Sequence, residues 1–207
     1  MVGEIRIYIE GGGDFKDTKA DLRRGFSLFL SEIVQMARSK SIKWNIITCG
    51  SRNSTFTNWK FALKSHPDAF NILLVDSEGP VAGDPWHHLE IREKWANPGQ
   101  GNEQCHLMVQ AMEAWIIADQ EALATYYGDG FNPNPLPKNP NVESISVPEL
   151  VAALEVATQN TKKQKYHKTR HAPDILAKID YKIVCEKAPH CRRLFQTIEE
   201  IIGNQSP

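Results

Sequence analysis

A short apolar run that ends on acid constrains this chain most. Phe70-Asn71-Ile72-Leu73-Leu74-Val75 passes without a break into Asp76-Ser77-Glu78-Gly79. Consecutive Ile, Leu and Val bounded by polar and Gly residues read as a strand buried on both faces, the pattern of a central parallel strand. Asp76 and Glu78 then stand just past its carboxyl end. That edge is where ligands bind in open α/β sheets, above all where neighbouring strands lead into helices on opposite faces. A second run, Ile5-Arg6-Ile7-Tyr8-Ile9, stops in the same way at Glu10, followed by Gly11-Gly12-Gly13-Asp14. If the two strands are neighbours, Glu10 meets Asp76 and Glu78. Carboxylates brought together repel unless one holds a proton or a cation sits between them. Mg²⁺ or Mn²⁺, hard and oxygen-preferring, suits such ligands.

The rest of the chain supplies the frame for that edge. Leu22, Phe26, Phe29, Ile33 and Met36 recur at three- and four-residue spacing, which predicts one helix over about 18–38 with this stripe on the sheet. A strand is expected over 42–49, a short helix carrying Trp59, Phe61 and Leu63 over 55–64, and then the strand that ends at Asp76. This β-α-β-α-β order makes a parallel sheet, because such crossovers are right-handed. Residues 79–102 show no apolar period, and a stretch of that length is a functional lid or a partly helical excursion. A long helix is expected over 105–118, breaking near Asp119 and continuing to Tyr127. On it His106, Gln110 and Glu113 share a stripe, since seven residues at 100° each return to within about 20° of the start.

Pro133, Pro135, Pro137 and Pro140 mark residues 129–145 as an extended linker after a core over 1–128. Ser146-Val147-Pro148-Glu149 has capping-box spacing and opens a helix to about 158. Two further helices, over 172–179 and 189–202, complete a helical C-terminal part, 146–207, packed on the core. The fold class expected is therefore α/β, a parallel sheet with helices on both faces and a mainly helical C-terminal part.

With 207 residues the chain is long enough for one α/β core and an appended subdomain. A net charge of −1 gives no global basic field toward nucleic acid, although a local basic patch remains open. The N-terminal residues run directly into a strand without a leader-like apolar segment, and no stretch approaches the roughly 20 apolar residues of a membrane span. A cytoplasmic protein with no membrane association is expected. Four cysteines, Cys49, Cys105, Cys185 and Cys191, have neither Cys-x-x-Cys nor zinc-finger spacing and read as reduced structural thiols.

Each remaining candidate has an ordinary reading beside a chemical one. Acids after strands also serve as turn and capping residues. Gly11-Gly12-Gly13 lacks the spaced third glycine of a dinucleotide loop, and Glu10 would repel a pyrophosphate there; the glycines read as a tight turn that exposes Glu10. Glu113 is either a helix glutamate at the surface or part of the site. His106 reads as a hydrogen-bonded structural histidine, and His87-His88 as a weak metal candidate without partners. The run from Lys162 to Arg170 is either a solvated loop or a source of phosphate contacts through Lys162, Lys163, Lys165 and Arg170, with Arg192 and Arg193 as further basic residues. A lysine such as Lys168 beside carboxylate-held metal would stabilise charge developing on a phosphoryl oxygen.

The acid-Gly after the first strand and the Asp-x-acid after the third resemble a Toprim domain, the metal-binding unit of topoisomerases, primases and overcoming-lysogenization-defect nucleases. More closely, Ile9-Glu10-Gly11-Gly12-Gly13-Asp14, Leu74-Val75-Asp76-Ser77-Glu78-Gly79, the segment from His106 through Glu113 to Trp115, and Tyr166-x-Lys168 are similar to the domain-of-unknown-function 4276 family. The Toprim resemblance implies Mg²⁺-dependent phosphodiester chemistry. For the nuclease branch it implies an ATPase partner in anti-phage defence. Glu10 and Asp76 match the invariant acids, while Glu78 stands where many Toprim proteins have a second Asp. By likeness to RloB-type relatives, Glu113 is a further metal ligand and Lys168 the transition-state lysine.

The expectation is a metal-dependent nuclease or nuclease subunit, with Glu10, Asp76, Glu78 and Glu113 on the metal and Lys168 on the phosphate. Two rivals differ in class. One is a receiver-like domain in which Asp76 accepts a phosphoryl group, which requires a lysine from a fifth strand. The other is a non-catalytic subunit whose acids serve structure or an ATPase partner.

Overall fold

The computed structural model describes residues 2–204. Four parallel strands, β1 (Glu4–Glu10), β2 (Lys43–Gly50), β3 (Phe70–Asp76) and β4 (Cys105–Met108), form one sheet in the order β2-β1-β3-β4. Helices α1 (Lys16–Phe29) and α2 (Ser31–Ser39) join β1 to β2, α3 (Arg52–Ser65) joins β2 to β3, and α4 (Pro85–Glu93) joins β3 to β4. Six more follow: α5 (Met112–Ala118), α6 (Gln120–Tyr127), α7 (Val147–Thr158), α8 (Lys168–Leu176), α9 (Tyr181–Lys187) and α10 (Pro189–Gly203). No helix among the described residues is long and apolar enough to cross a membrane.

Strand periodicity divides the apolar residues between two cores. Ile5, Ile7 and Ile9 of β1, with Ile72 and Leu74 of β3, pack with Leu22 and Phe26 of α1, Trp115 of α5 and Leu194 of α10. Tyr8, Leu73 and Val75 point the other way, onto Phe56 and Trp59 of α3 and Trp86 and Leu89 of α4. Residues 72–75 are fully buried, as a run apolar on both faces requires. Chain order gives this sheet its site. β1 leads into a helix on one face and β3 into a helix on the other, so a crevice opens between their carboxyl ends.

Two expectations are corrected. Residues 105–108 are not the start of a helix but the fourth strand, paired from Leu73↔Cys105 to Asp76↔Met108. A four-residue apolar segment buried on both faces carries no period that separates strand from helix. Consequently His106, Gln110 and Glu113 share no helical stripe: they lie in β4, in the connection and in α5. The helix expected over 18–38 is broken at Leu30, and Met36 faces solvent. The extended segment 129–145 is anchored to the core: Leu136, Val142 and Ile145 are buried in it, and Asn132 N–H donates to the Ala157 carbonyl at 2.9 Å. Helix α9 was not expected at all. In agreement with expectation, residues 79–102 contain a helix, α4, and all four cysteines are free thiols.

His106 is the structural histidine that its sequence context suggests. Its Nε2 is 3.0 Å from the Glu103 carbonyl, and Arg193 Nη1 lies 3.2 Å from its Nδ1. Burial first, and then the charge of Arg193, push its pKa down to about 3. The folded protein therefore refuses a proton that the unfolded chain accepts below about pH 6.5. Stability contributed by the neutral ring is present above that pH and is lost as pH falls toward 3. Between pH 7 and pH 5 wild type should lose about 2 kcal/mol through this residue. Urea titrations of wild type and His106→Gln at both pH values check this: the loss in the variant should be smaller by that amount, and equal losses would contradict it.

Candidate metal and phosphate site

β1 and β3 are hydrogen-bonded neighbours from Ile5↔Phe70 to Ile9↔Leu74, so the residues that follow, Glu10 and Asp76, come side by side. Asp76 N–H donates to Glu10 Oε2 at 3.2 Å. Glu78 curls back on a left-handed backbone, φ 57°, held by its N–H on the Gln110 carbonyl at 2.7 Å. Such a conformation in a residue other than glycine stores strain, which concentrates at functional sites. Ligand oxygens of Glu10, Asp76 and Glu78 all lie within 4.8 Å of one another. Opposite them runs the glycine turn. A Cβ on Gly11, whose φ is +116°, would stand 2.9 Å from Leu22 Cδ2 of α1, so only glycine lets the chain turn this tightly beside Glu10.

Asp76 is only 3% exposed. Its Oδ1 accepts from Met112 N–H at 2.9 Å, at the start of α5, and its Oδ2 accepts from Lys168 Nζ at 3.0 Å. Lys168, first residue of α8, also lies 3.2 Å from Glu113 Oε2, while Glu113 Oε1 accepts from the Tyr166 hydroxyl at 3.1 Å. Burial opposes the charge on Lys168, but Asp76 and then Glu113 outweigh it and hold the ammonium above its usual range. The Lys168 side chain keeps 45% of its surface exposed. For Glu10, burial and then the charge of Asp76 push the carboxyl up to about 7, against the pull of Arg52. A carboxyl so raised ionises readily only when more positive charge arrives.

Arg52, which is not among the residues singled out from the sequence, supplies part of that charge. From the first position of α3 its Nη2 donates to the Asp76 carbonyl at 2.7 Å and lies 3.3 Å from Glu10 Oε2 and 3.5 Å from Glu78 Oε1. Its Nη1 donates to Glu93 Oε1 of α4 at 2.6 Å. One signal was available: Arg52 follows β2 by two residues, at the same sheet edge as Glu10 and Asp76. Glu93 carried none.

Of the sequence candidates, Glu10, Asp76 and Glu78 are brought together, with Lys168 on Asp76. Glu113 is joined to them through Lys168 and Tyr166 rather than as a member of the three-carboxylate group. The basic residues do not converge. Lys165 pairs with Glu155 at 2.6 Å, Lys163 stands over the Tyr126 ring, and Lys162 is a loose 3.9 Å partner of Asp129. Arg170 is exposed beside Lys168. Arg192 donates to the Cys185 and Glu186 carbonyls at the end of α9. Arg193 donates to the carbonyls of Asn102 and Cys105 and so ties α10 to the start of β4, away from the carboxyl edge. His88 Nε2 is 2.9 Å from the Ser77 carbonyl, and neither His87 nor His88 belongs to a metal-ligand group among the described residues.

The donor set fits a divalent cation. Three carboxylates supply hard oxygen ligands in reach of one centre, at a sheet edge where Glu10 is held back from ionising. A cavity of about 120 Å³ adjoins them, lined by Gly11 to Gly13, Thr18, Lys168 and Thr169 over an apolar floor of Leu22, Met108 and Met112. A family model described as Domain of unknown function (DUF4276) matches residues 9–199. No curated protein and no solved structure matches the chain.

Arg52 is the test of the charge balance. Replacing it by Met leaves Glu10, Glu78 and Glu93 without their shared cation, and breaking such a largely buried pair costs about 2–4 kcal/mol. The Arg52→Met melting temperature should fall in chelator and recover in part with Mn²⁺, whose binding to the folded state adds stability by mass action. An unchanged melting temperature in chelator would rule out this role.

Proposed function

The chain belongs to the DUF4276 family, and from its carboxylate site we propose that it is a divalent-metal-dependent nuclease, or a nuclease subunit, acting on nucleic-acid phosphodiesters. One observation carries this reading: Glu10, Asp76 and Glu78 converge at the crevice between β1 and β3, with the Lys168 ammonium bonded to Asp76. In this reading Glu10, Asp76 and Glu78 hold Mg²⁺ or Mn²⁺, which when bound supplies Lewis acidity toward a phosphoryl oxygen and toward an attacking water.

The chain's own residues do the rest. Met112 N–H and Lys168 fix the two oxygens of Asp76, and Arg52 orients Glu10 and Glu78. Lys168, kept charged by Asp76 and Glu113, donates to a non-bridging phosphoryl oxygen as negative charge builds there. Tyr166 holds Glu113 and with it the reach of Lys168. An ATPase partner and a role in anti-phage defence belong to the proposal through the Toprim resemblance of the motifs. The receiver-like rival is less well supported, because the sheet has four strands among the described residues and the lysine on Asp76 comes from α8.

Calorimetry with Mn²⁺ and cleavage of end-labelled oligonucleotides test the reading together. Wild type should bind Mn²⁺ and cut; Asp76→Asn should do neither. Lys168→Met should keep Mn²⁺ binding and lose about 10²-fold in cleavage rate, the size of effect seen when one charge-stabilising donor is removed. Equal cleavage by wild type and Asp76→Asn, or a wild type that binds no Mn²⁺, would sink it in favour of a non-catalytic subunit.

A further inference from the structure

Phe15 is the most exposed large apolar side chain among the described residues, with 78% of its surface in solvent. It sits at the end of the glycine turn, whose Gly11, Gly12 and Gly13 line the cavity beside Glu10 and Asp76. Its position is built. The Thr18 hydroxyl donates to the carbonyls of Gly12 and Phe15, and Lys19 N–H donates to the Phe15 carbonyl at 3.2 Å. The turn and the first residues of α1 are thereby one unit, which fixes the Phe15 backbone two residues after the last cavity-lining glycine and leaves its ring in solvent. Leaving a phenyl ring in water forgoes the burial that usually decides where such a side chain goes.

Two ammonium groups stand beside the carboxylates and the glycine turn that precedes Phe15, whose own chain neighbours are Asp14 and Lys16. Lys168 stands on one side of the carboxylates. On the glycine side, Lys19 Nζ approaches to 3.1 Å of the point where a Cβ on Gly50 would lie, and it has no ion-pair partner among the described residues. An exposed aromatic face interleaved with ammonium groups is the arrangement that holds single-stranded nucleic acid: lysines follow the backbone and rings stack on bases. In a duplex the base faces are stacked on one another and unavailable to a ring beside the phosphates. Asp76 is buried in the lining of a cavity of about 120 Å³ shared with the glycine turn and Thr169, and an unpaired strand or frayed end reaches such a buried group more readily than a rigid helix.

We infer that the substrate enters as a single strand and that Phe15 stacks on a base next to the phosphate at the carboxylates, with Lys19 contacting the neighbouring phosphate. This inference rests on the phosphodiester reading above and narrows its substrate class. Phe15 acts here as a specificity-determining contact and takes no part in the chemistry.

Binding of labelled oligonucleotides in Ca²⁺, measured by fluorescence anisotropy on the full chain, separates this inference from the reading beneath it. Single-stranded DNA, single-stranded RNA and a duplex of the same sequence form the arms. Wild type should bind the better of the two single strands at least about tenfold more tightly than the duplex, and Phe15→Ala should lose about tenfold on that strand, the worth of one stacked base. Phe15→Trp should keep the affinity and show quenching of its indole emission on binding. Mn²⁺ affinity should be the same in all three proteins, which excludes a folding defect. Single-strand binding unaffected by Phe15→Ala, or a wild-type preference for duplex, overturns the inference alone. A wild type that binds no nucleic acid overturns the phosphodiester reading and this inference with it.

Discussion

Electrostatic repulsion at the end of two neighbouring strands governs this molecule. Glu10 and Asp76 are adjacent because β1 and β3 pair in parallel and both run out of sheet at acid. Two like charges within 4.8 Å repel by on the order of 3 kcal/mol at the effective dielectric of a protein surface. That is a large part of the roughly 5–15 kcal/mol by which a domain is stable. The fold meets the repulsion from both faces of the sheet. Arg52 comes from the start of α3 on one face, and Lys168 from the start of α8 among the helices on the other. Around these two cations gather Glu10, Asp76, Glu78, Glu93 and Glu113. The excess is negative, the balance that the proposed divalent cation would complete.

This arrangement explains why the C-terminal helices are part of the core. Lys168 reaches Asp76 only if α8 lies close against α1, and the two helices touch where α1 has Gly25. A Cβ there would meet the Pro173 carbonyl at 2.5 Å. Arg24 and Asp174 clamp the same crossing at 2.6 Å. Packing, helix approach and the protonation of a lysine are thus one problem. The residues of α8 and α10 share a core with the isoleucines of β1, so one packed core joins the sheet edge to the lysine over it.

Much of the central sheet is legible in the sequence. Runs such as Ile72 to Val75 announce a doubly buried strand, and acids directly after two such runs announce a charged edge. β4 was not legible, because four apolar residues buried on both faces have no period of their own and the helix after them lent them its pattern. Met36 misled for a related reason: the stripe was drawn through one long helix, and the break at Leu30 turns α2 so that Met36 leaves the core. The prolines mark 129–145 as an extended linker, and Leu136, Val142 and Ile145 anchor it, since a few apolar side chains suffice to hold an extended segment to a core.

For the site, the sequence by itself determined which carboxylates stand at strand ends, since a strand's length and the residue after it are local properties. Tertiary structure decided which acids the cations serve. Arg52 is 42 positions from Glu10 and Lys168 is 92 from Asp76, so neither pairing is a local property of the chain. It also decided against a shared basic patch, by turning Arg193 onto backbone carbonyls at the far end of β4. Short-range chemistry writes the acids into the chain one strand at a time, whereas the counter-charge they need depends on which helix ends the packed sheet brings to its edge.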